Sequence, residues 1–317
     1  MTFSSYGLKR ISPQILDHSV VVLHGIRQTR DDIQSPFADA LVATAGTDAT
    51  IYTFGYDHTQ HLDSSGSKLA RELKDLPDGR IDLVGYSMGG LVARMAATDG
   101  PDVEVHTIVT LATPNRGALS NAQLTNLGQF TKGVLNNLIS PLAPRTNGVN
   151  DLTRVPELMR NRREQMEQNK MSPAARYASI PALYYNVNRS SFTFGPSIQM
   201  NAVQAAIAAL NLRKRLIEME KSHDGIVTEK SNEITRQDTH EWAEFHLSVP
   251  GPNDEPSRCH AVIPACSDND HCSVVSDPQE SDKVAELVWI LLQEPDWQEL
   301  KNPRSPHYNR IRIDLHP

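Results

Sequence analysis

The residues Gly85-Tyr86-Ser87-Met88-Gly89 set one hydroxyl between two glycines. An apolar run, Ile81-Asp82-Leu83-Val84, precedes them, and small and apolar residues, Gly90-Leu91-Val92-Ala93-Arg94, follow. The pattern predicts strand, sharp turn, helix, with the serine at the turn. Such a hydroxyl stands clear of the backbone only where Gly85 and Gly89 lack side chains and let neighbouring main chain approach. The helix that follows presents unpaired N–H groups and the positive end of its dipole toward developing negative charge. Ser87 is therefore the expected nucleophile in attack on an acyl carbon. A plain Gly-Ser turn is the alternative, and the strand before and helix after argue against it.

A tetrahedral intermediate needs a second backbone donor, and Val20-Val21-Val22-Leu23-His24-Gly25-Ile26 supplies a strand and loop for it. Gly25 relieves crowding there, so the Ile26 and Met88 amides are assigned as the oxyanion hole; losing one such donor costs about 3 kcal/mol of transition-state stabilisation. His24 is read as holding the loop by a hydrogen bond, not as a chemical group.

Serine attack also requires an imidazole, itself held by a carboxylate, in the chain order Ser, acid, His. Of the twelve histidines, His271 follows the last expected inner strand and precedes the last helix, where the base belongs. His260 falls within that strand, and His307 and His316 fall beyond the helix. For the acid, Asp224 lies beside a glycine in Ser222-His223-Asp224-Gly225. Asp238, Glu241 and Asp270 are the alternatives.

These groups require a rigid frame. Short β-branched runs at Ser19–Leu23, Thr50–Phe54, Ile81–Val84, Val103–Leu111, Ala182–Val187 and Cys259–Ile263 alternate with helical patterns at about Asp31–Ala45, Ser67–Leu76 and Gly89–Thr98. The alternation predicts an α/β fold with a mostly parallel central sheet joined by right-handed crossovers. Val284, Leu287, Val288, Leu291 and Leu292 stripe a final packing helix that starts near Ser281 and Asp282. Residues 116–180 read as a helical cap insertion and 189–221 as a second helical excursion of one domain. Leu119–Leu142 is either an amphipathic cap over an acyl pocket or a helix packed on the domain.

The chain has 317 residues, room for one large α/β domain with an insertion. A net charge of -7 with scattered Lys and Arg argues against a nucleic-acid partner. No run has the apolar length of a membrane span, although transient contact with a membrane surface stays open. Met1–Arg10 has no signal-like apolar core and the three cysteines are an odd number, so a reduced, cytoplasmic setting is expected, with leaderless export as the alternative. No Gly-rich phosphate loop or dinucleotide fingerprint appears, and no cofactor is expected. Cys259, His260, Cys266, His271 and Cys272 match none of the usual zinc spacings, so no metal site is assigned.

At His24-Gly25, Tyr52-Thr53-Phe54-Gly55-Tyr56-Asp57, the elbow, and Leu111-Ala112-Thr113-Pro114-Asn115-Arg116-Gly117, the chain resembles lipase-like serine esterases of the α/β-hydrolase superfamily. In particular it resembles the intracellular serine-active-site esterases related to the inositol deacylases of GPI anchors. Ala112 and Asn115 stand where that family usually has glycine and histidine. The resemblance implies the α/β-hydrolase fold, the triad Ser87, Asp224 and His271, and hydrolysis of lipid or other acyl esters. Thioesterases, amidases and acyltransferases share these features. A non-catalytic module of the same fold, with the charged stretch Arg154–Lys170 binding a partner, is the rival reading.

Overall fold

The computed structural model describes residues 6–26, 28–99, 104–115, 146–152, 154–155, 157–159, 161, 176–180, 258–262, 273–297, 299–307 and 312–316. The strands are β1 (Gly7–Arg10), β2 (His18–Leu23), β3 (Thr50–Gly55), β4 (Arg80–Tyr86), β5 (Val105–Leu111), β6 (Arg176–Ile180), β7 (Arg258–Val262) and β8 (Arg312–His316). They form one eight-stranded sheet in the order β1-β3-β2-β4-β5-β6-β7-β8. The inner strands, β3 through β7 in that order, are parallel. The edge strands β1 and β8 are antiparallel to their neighbours.

Parallel strands covered by helices on both faces are largely apolar on both, which is why β2 carries the run Val20–Leu23 and β4 carries Ile81, Leu83 and Val84. Alternation then sorts the side chains. Val20, Val22, Val84, Val109 and Leu111 pack on α2 (Asp39–Ala45) and α7 (Pro278–Gln293), with Trp297 and Leu300 closing that layer. Val21, Leu23, Leu83 and Ile108 pack on α3 (Leu62–Leu73) and α4 (Met88–Ala97), where Val155 and Met159 join them. Short helices complete the order: α1 (Arg30–Ile33), linked to α2 by a π-helical turn at Gln34–Ala38, then α5 (Asn147–Leu152) and α6 (Ser273–Ser276).

The sheet has a switch point. From β2 the chain passes to β3 on one side and then to β4 on the other. The carboxyl ends of β2 and β4 therefore diverge into a crevice, where open α/β sheets bind ligands. Leu23 pairs with Gly85 in register, so Gly25 and Ser87 leave the same edge side by side.

Two helix starts need correction, and one strand was not expected. Strand β6 at Arg176–Ile180 occupies the last residues of the span 116–180, while the strand expected at Ala182–Val187 falls outside the described residues. Pairing with Thr107–Leu111 and burial of Tyr177, Ala178 and Ile180 fix this register. Helix α3 begins at Leu62 instead of Ser67, because Asp151 accepts the Leu62 N–H at 2.9 Å and supplies a cap from 89 residues away. Helix α7 begins at Pro278, with the Asp277 carboxylate accepting the Gln279 N–H. Residues 116–145 of the expected cap, the excursion 189–221 and the span 182–187 lie outside the described residues.

Candidate active site

Strand β4 delivers Ser87 to a turn with φ 51° and ψ -123°, and α4 starts at the next residue. A non-glycine residue with positive φ is strained by about 1–3 kcal/mol and persists only where its surroundings hold it. They do so here. The Ser87 N–H donates to Leu111 O at 2.8 Å, and the Gly90 N–H donates to Ser87 O at 3.1 Å. A Cβ on Gly85 would collide with the backbone of Gly90, and one on Gly89 would meet the carbonyls of Leu23 and His24. Both elbow glycines are thus sites of close main-chain approach, as the sequence pattern predicts.

The loop after β2 lies against the elbow. A Cβ added to Gly25 would stand 2.8 Å from Tyr86 Cε1 and 3.1 Å from Ser87 Cβ. The Gly25 N–H is taken by the Gln28 side chain at 2.9 Å, leaving Ile26 as the next amide of the loop. Met88 is the first residue of α4, where an amide has no intrahelical acceptor. Ser87, Gly25, Ile26, Met88, Gly85 and Gly89 are thereby gathered at one end of β2 and β4.

His24 locks this loop. Its Nε2 accepts the Tyr56 N–H at 3.2 Å, which leaves Nδ1–H to donate to Gly25 O at 2.8 Å. The Tyr56 hydroxyl donates to His24 O at 2.8 Å. Burial pulls the imidazole down to about 4, against the opposing effect of its hydrogen bond to Gly25. Burial likewise pushes the Tyr56 phenol above its ordinary range. His24 is therefore neutral and structural, in line with its reading from sequence.

Behind the elbow, Ala112 takes φ 47°, a left-handed conformation that favours glycine. Its N–H donates to Ile180 O at 2.8 Å. Thr113 Oγ1 donates to Gly85 O at 3.3 Å. Arg94, almost fully buried on α4, donates to Asn115 O at 3.1 Å and Asn115 Oδ1 at 3.0 Å, while Asn115 Nδ2 donates to Thr110 Oγ1 at 3.1 Å. The residue at 115 joins β5 to the elbow helix. Sequence reasoning missed the parts played by Gln28, Tyr56 and Arg94; only the quoted Tyr52–Asp57 and Leu91–Arg94 runs pointed near them.

Asp224 and His271 lie outside the described residues, as do Asp238, Glu241, Asp270, Cys266 and Cys272. Strand β7 ends at Val262, and the described chain resumes at Ser273, so in sequence His271 lies between the two. His260 belongs to β7 and His316 to β8, while His307 follows α7 in a turn. Among the described residues, no cluster of three or more His, Cys, Asp or Glu side chains could hold a metal ion. Among the same residues, no helix is long and apolar enough to cross a membrane.

A six-stranded parallel core with helices on both faces and a strained serine between β4 and α4 defines the α/β-hydrolase fold. Residues 66–182 match the PGAP1-like alpha/beta domain family, a span from within α3 to just past β6. Among solved structures, the mature form of a Bacillus licheniformis lipase aligns at 14% identity over 91% of this chain and 98% of its own, with a TM-score of 0.51. A metagenomic carboxyl esterase aligns at 13% identity over 90% of this chain and 78% of its own, with a TM-score of 0.52. The propeptide form of the lipase is covered over 47% of its length by 73% of this chain, at 17% identity and a TM-score of 0.48. No curated protein matches the sequence. The α/β-hydrolase fold expected from the motifs is thus the fold observed.

Proposed function

We propose that this chain is a serine hydrolase that cleaves carboxylic esters of acyl or lipid substrates. The observation that carries the reading is Ser87 itself, a strained serine at the β4–α4 turn with the Gly25–Ile26 loop directly beside its Cβ. The solved structures of similar fold include a lipase and a carboxyl esterase by their descriptions, which agrees with ester chemistry.

In the mechanism, His271 takes the Ser87 proton while Asp224 holds the imidazole in the productive tautomer. The Ser87 oxygen bonds to the acyl carbon, and the carbonyl oxygen gains negative charge between the Ile26 and Met88 amides. Collapse breaks the bond to the leaving alkoxide, which takes the proton from His271. Water then attacks the acyl-enzyme by the same route and releases the carboxylic acid. No cofactor enters any step. The three cysteines, an odd number, suit a reduced, cytoplasmic setting.

The test is cleavage of a short p-nitrophenyl acyl ester and labelling by a fluorophosphonate. Both signals are expected in the wild type and lost in Ser87→Ala. A folded wild type that neither cleaves nor labels overturns the reading and favours a non-catalytic module. Rates on matched ester, thioester and amide substrates decide among the acyl-transfer classes, with the ester expected to be fastest.

A further inference from the structure

The segment that begins with α5 packs on the first residue of the elbow helix. Helix α5 places Gly148, which is buried, against the β3–α3 loop. A Cβ there would be driven into His58 O, would stand 2.9 Å from Gln60 O, and would come within 2.7 Å of Met88 Cε. The Gly148 N–H points to Thr59 O at 3.4 Å. Three residues on, the buried Asp151 carboxylate accepts the Leu62 N–H at 2.9 Å and pairs with His61 Nδ1 at 3.2 Å. Val155 and Met159 then enter the same core cluster as Met88. The leg is fastened at three levels, and its first fastening lies against the side chain of Met88.

We infer that Gly148 is a positioning residue, which seats α5 against Met88 and thereby fixes the Met88 amide as an oxyanion donor. The inference rests on the proposed serine-hydrolase reading and names a part of that site. Met88 Cα is held from one side by the strained Ser87 and the start of α4. Its side chain must also be held if the amide is to keep its aim, because a donor displaced by about 1 Å loses much of its hydrogen bond. Only glycine at 148 lets α5 come close enough to do so.

The experiment compares Gly148→Ala with Met159→Ala, which loosens the same leg eleven residues further along the chain. Both are assayed well below their melting temperatures on p-nitrophenyl acetate. A trifluoromethyl ketone, whose serine adduct places an oxyanion in the hole, is the second readout. Gly148→Ala is expected to lower kcat by about tenfold or more, with KM within about twofold, and to weaken the ketone by the same factor. Met159→Ala is expected to retain kcat within about twofold despite a lower Tm. Should Gly148→Ala fail to fold, Asp151→Ala releases the same leg from α3 and is expected to show the same coupled loss. Wild-type kcat and ketone affinity in folded Gly148→Ala, or equal losses in Met159→Ala, overturn the inference while leaving the hydrolase reading intact. A wild type inactive toward every ester and unlabelled by fluorophosphonate overturns both.

Discussion

His24 and Tyr56 lie ring on ring, with centroids 4.2 Å apart and planes inclined by 8°, and each binds the other's backbone. The pair ties the end of β2 to the end of β3, and so sets the height of the Gly25–Ile26 loop beside Ser87. No titrating charge is involved at neutral pH. The pair acts through shape and through two neutral hydrogen bonds.

Tyr56→Phe keeps the stacked ring and removes one donor, leaving His24 O buried without that partner. A stability loss of about 1–2 kcal/mol is expected. Urea unfolding measures it, and an unchanged midpoint would show that the hydroxyl contributes nothing.

The His24 imidazole has an ordinary value of 6.5 and sits at about 4 in the fold. Between those values the unfolded chain takes up a proton that the folded protein refuses, so stability falls as pH drops through the window. The loss amounts to about 3 kcal/mol across it and is absent above pH 6.5. Unfolding midpoints between pH 7 and 4 are expected to slope downward toward acid in the wild type, and to slope less in His24→Asn.

Asp82 lies at the opposite end of β4 from the site. Its carboxylate accepts from His18 Nε2 at 2.7 Å and Arg80 Nε at 2.9 Å, with His106 Nδ1 at 3.4 Å. Burial alone would raise this carboxyl, but the bonds from His106 and His18 and the charge of Arg80 outweigh it and hold it at about 2, against an ordinary 3.8. Stability from this group is complete above pH 3.8 and is lost as pH falls through 2, by about 2 kcal/mol. Asp82→Asn is expected to lower the melting temperature at pH 7 and leave kcat of the folded enzyme within about twofold. A selective loss of kcat would contradict the separation of the two ends.

Asn115→Ala withdraws the side-chain acceptor from the buried Arg94 guanidinium and the donor to Thr110. A loss of about 2 kcal/mol is expected. Asn115→Asp, which keeps an acceptor and adds a charge opposite Arg94, should lose less. The reverse order in thermal unfolding would argue against the Arg94 contact as the cause.

What the sequence made legible was local. The elbow could be read because its strand, turn and helix are contiguous, and the Gly25 loop because an apolar strand points into it. Strand β6 escaped notice because Arg176-Tyr177-Ala178-Ser179-Ile180 holds two small residues and lacks a run of apolar and aromatic residues. Partner strands, not propensity, fix its register. Strands β1 and β8 escaped notice because edge strands need only one apolar face and carry few apolar residues, as Leu8-Lys9-Arg10 and Arg312-Ile313-Asp314 show. Contacts such as Asp151 with Leu62 leave no trace in spacing, since the fold alone brings residues 89 apart together.

Strand β4 joins two unlike ends. Its entry is gripped by ion pairs at Asp82, and five residues later its exit is wound into the tight corner at Ser87, about 17 Å away along an extended chain. Thermal robustness and reactivity are thus addressed through separate handles on a single short segment, and substitutions that toughen the first need not blunt the second.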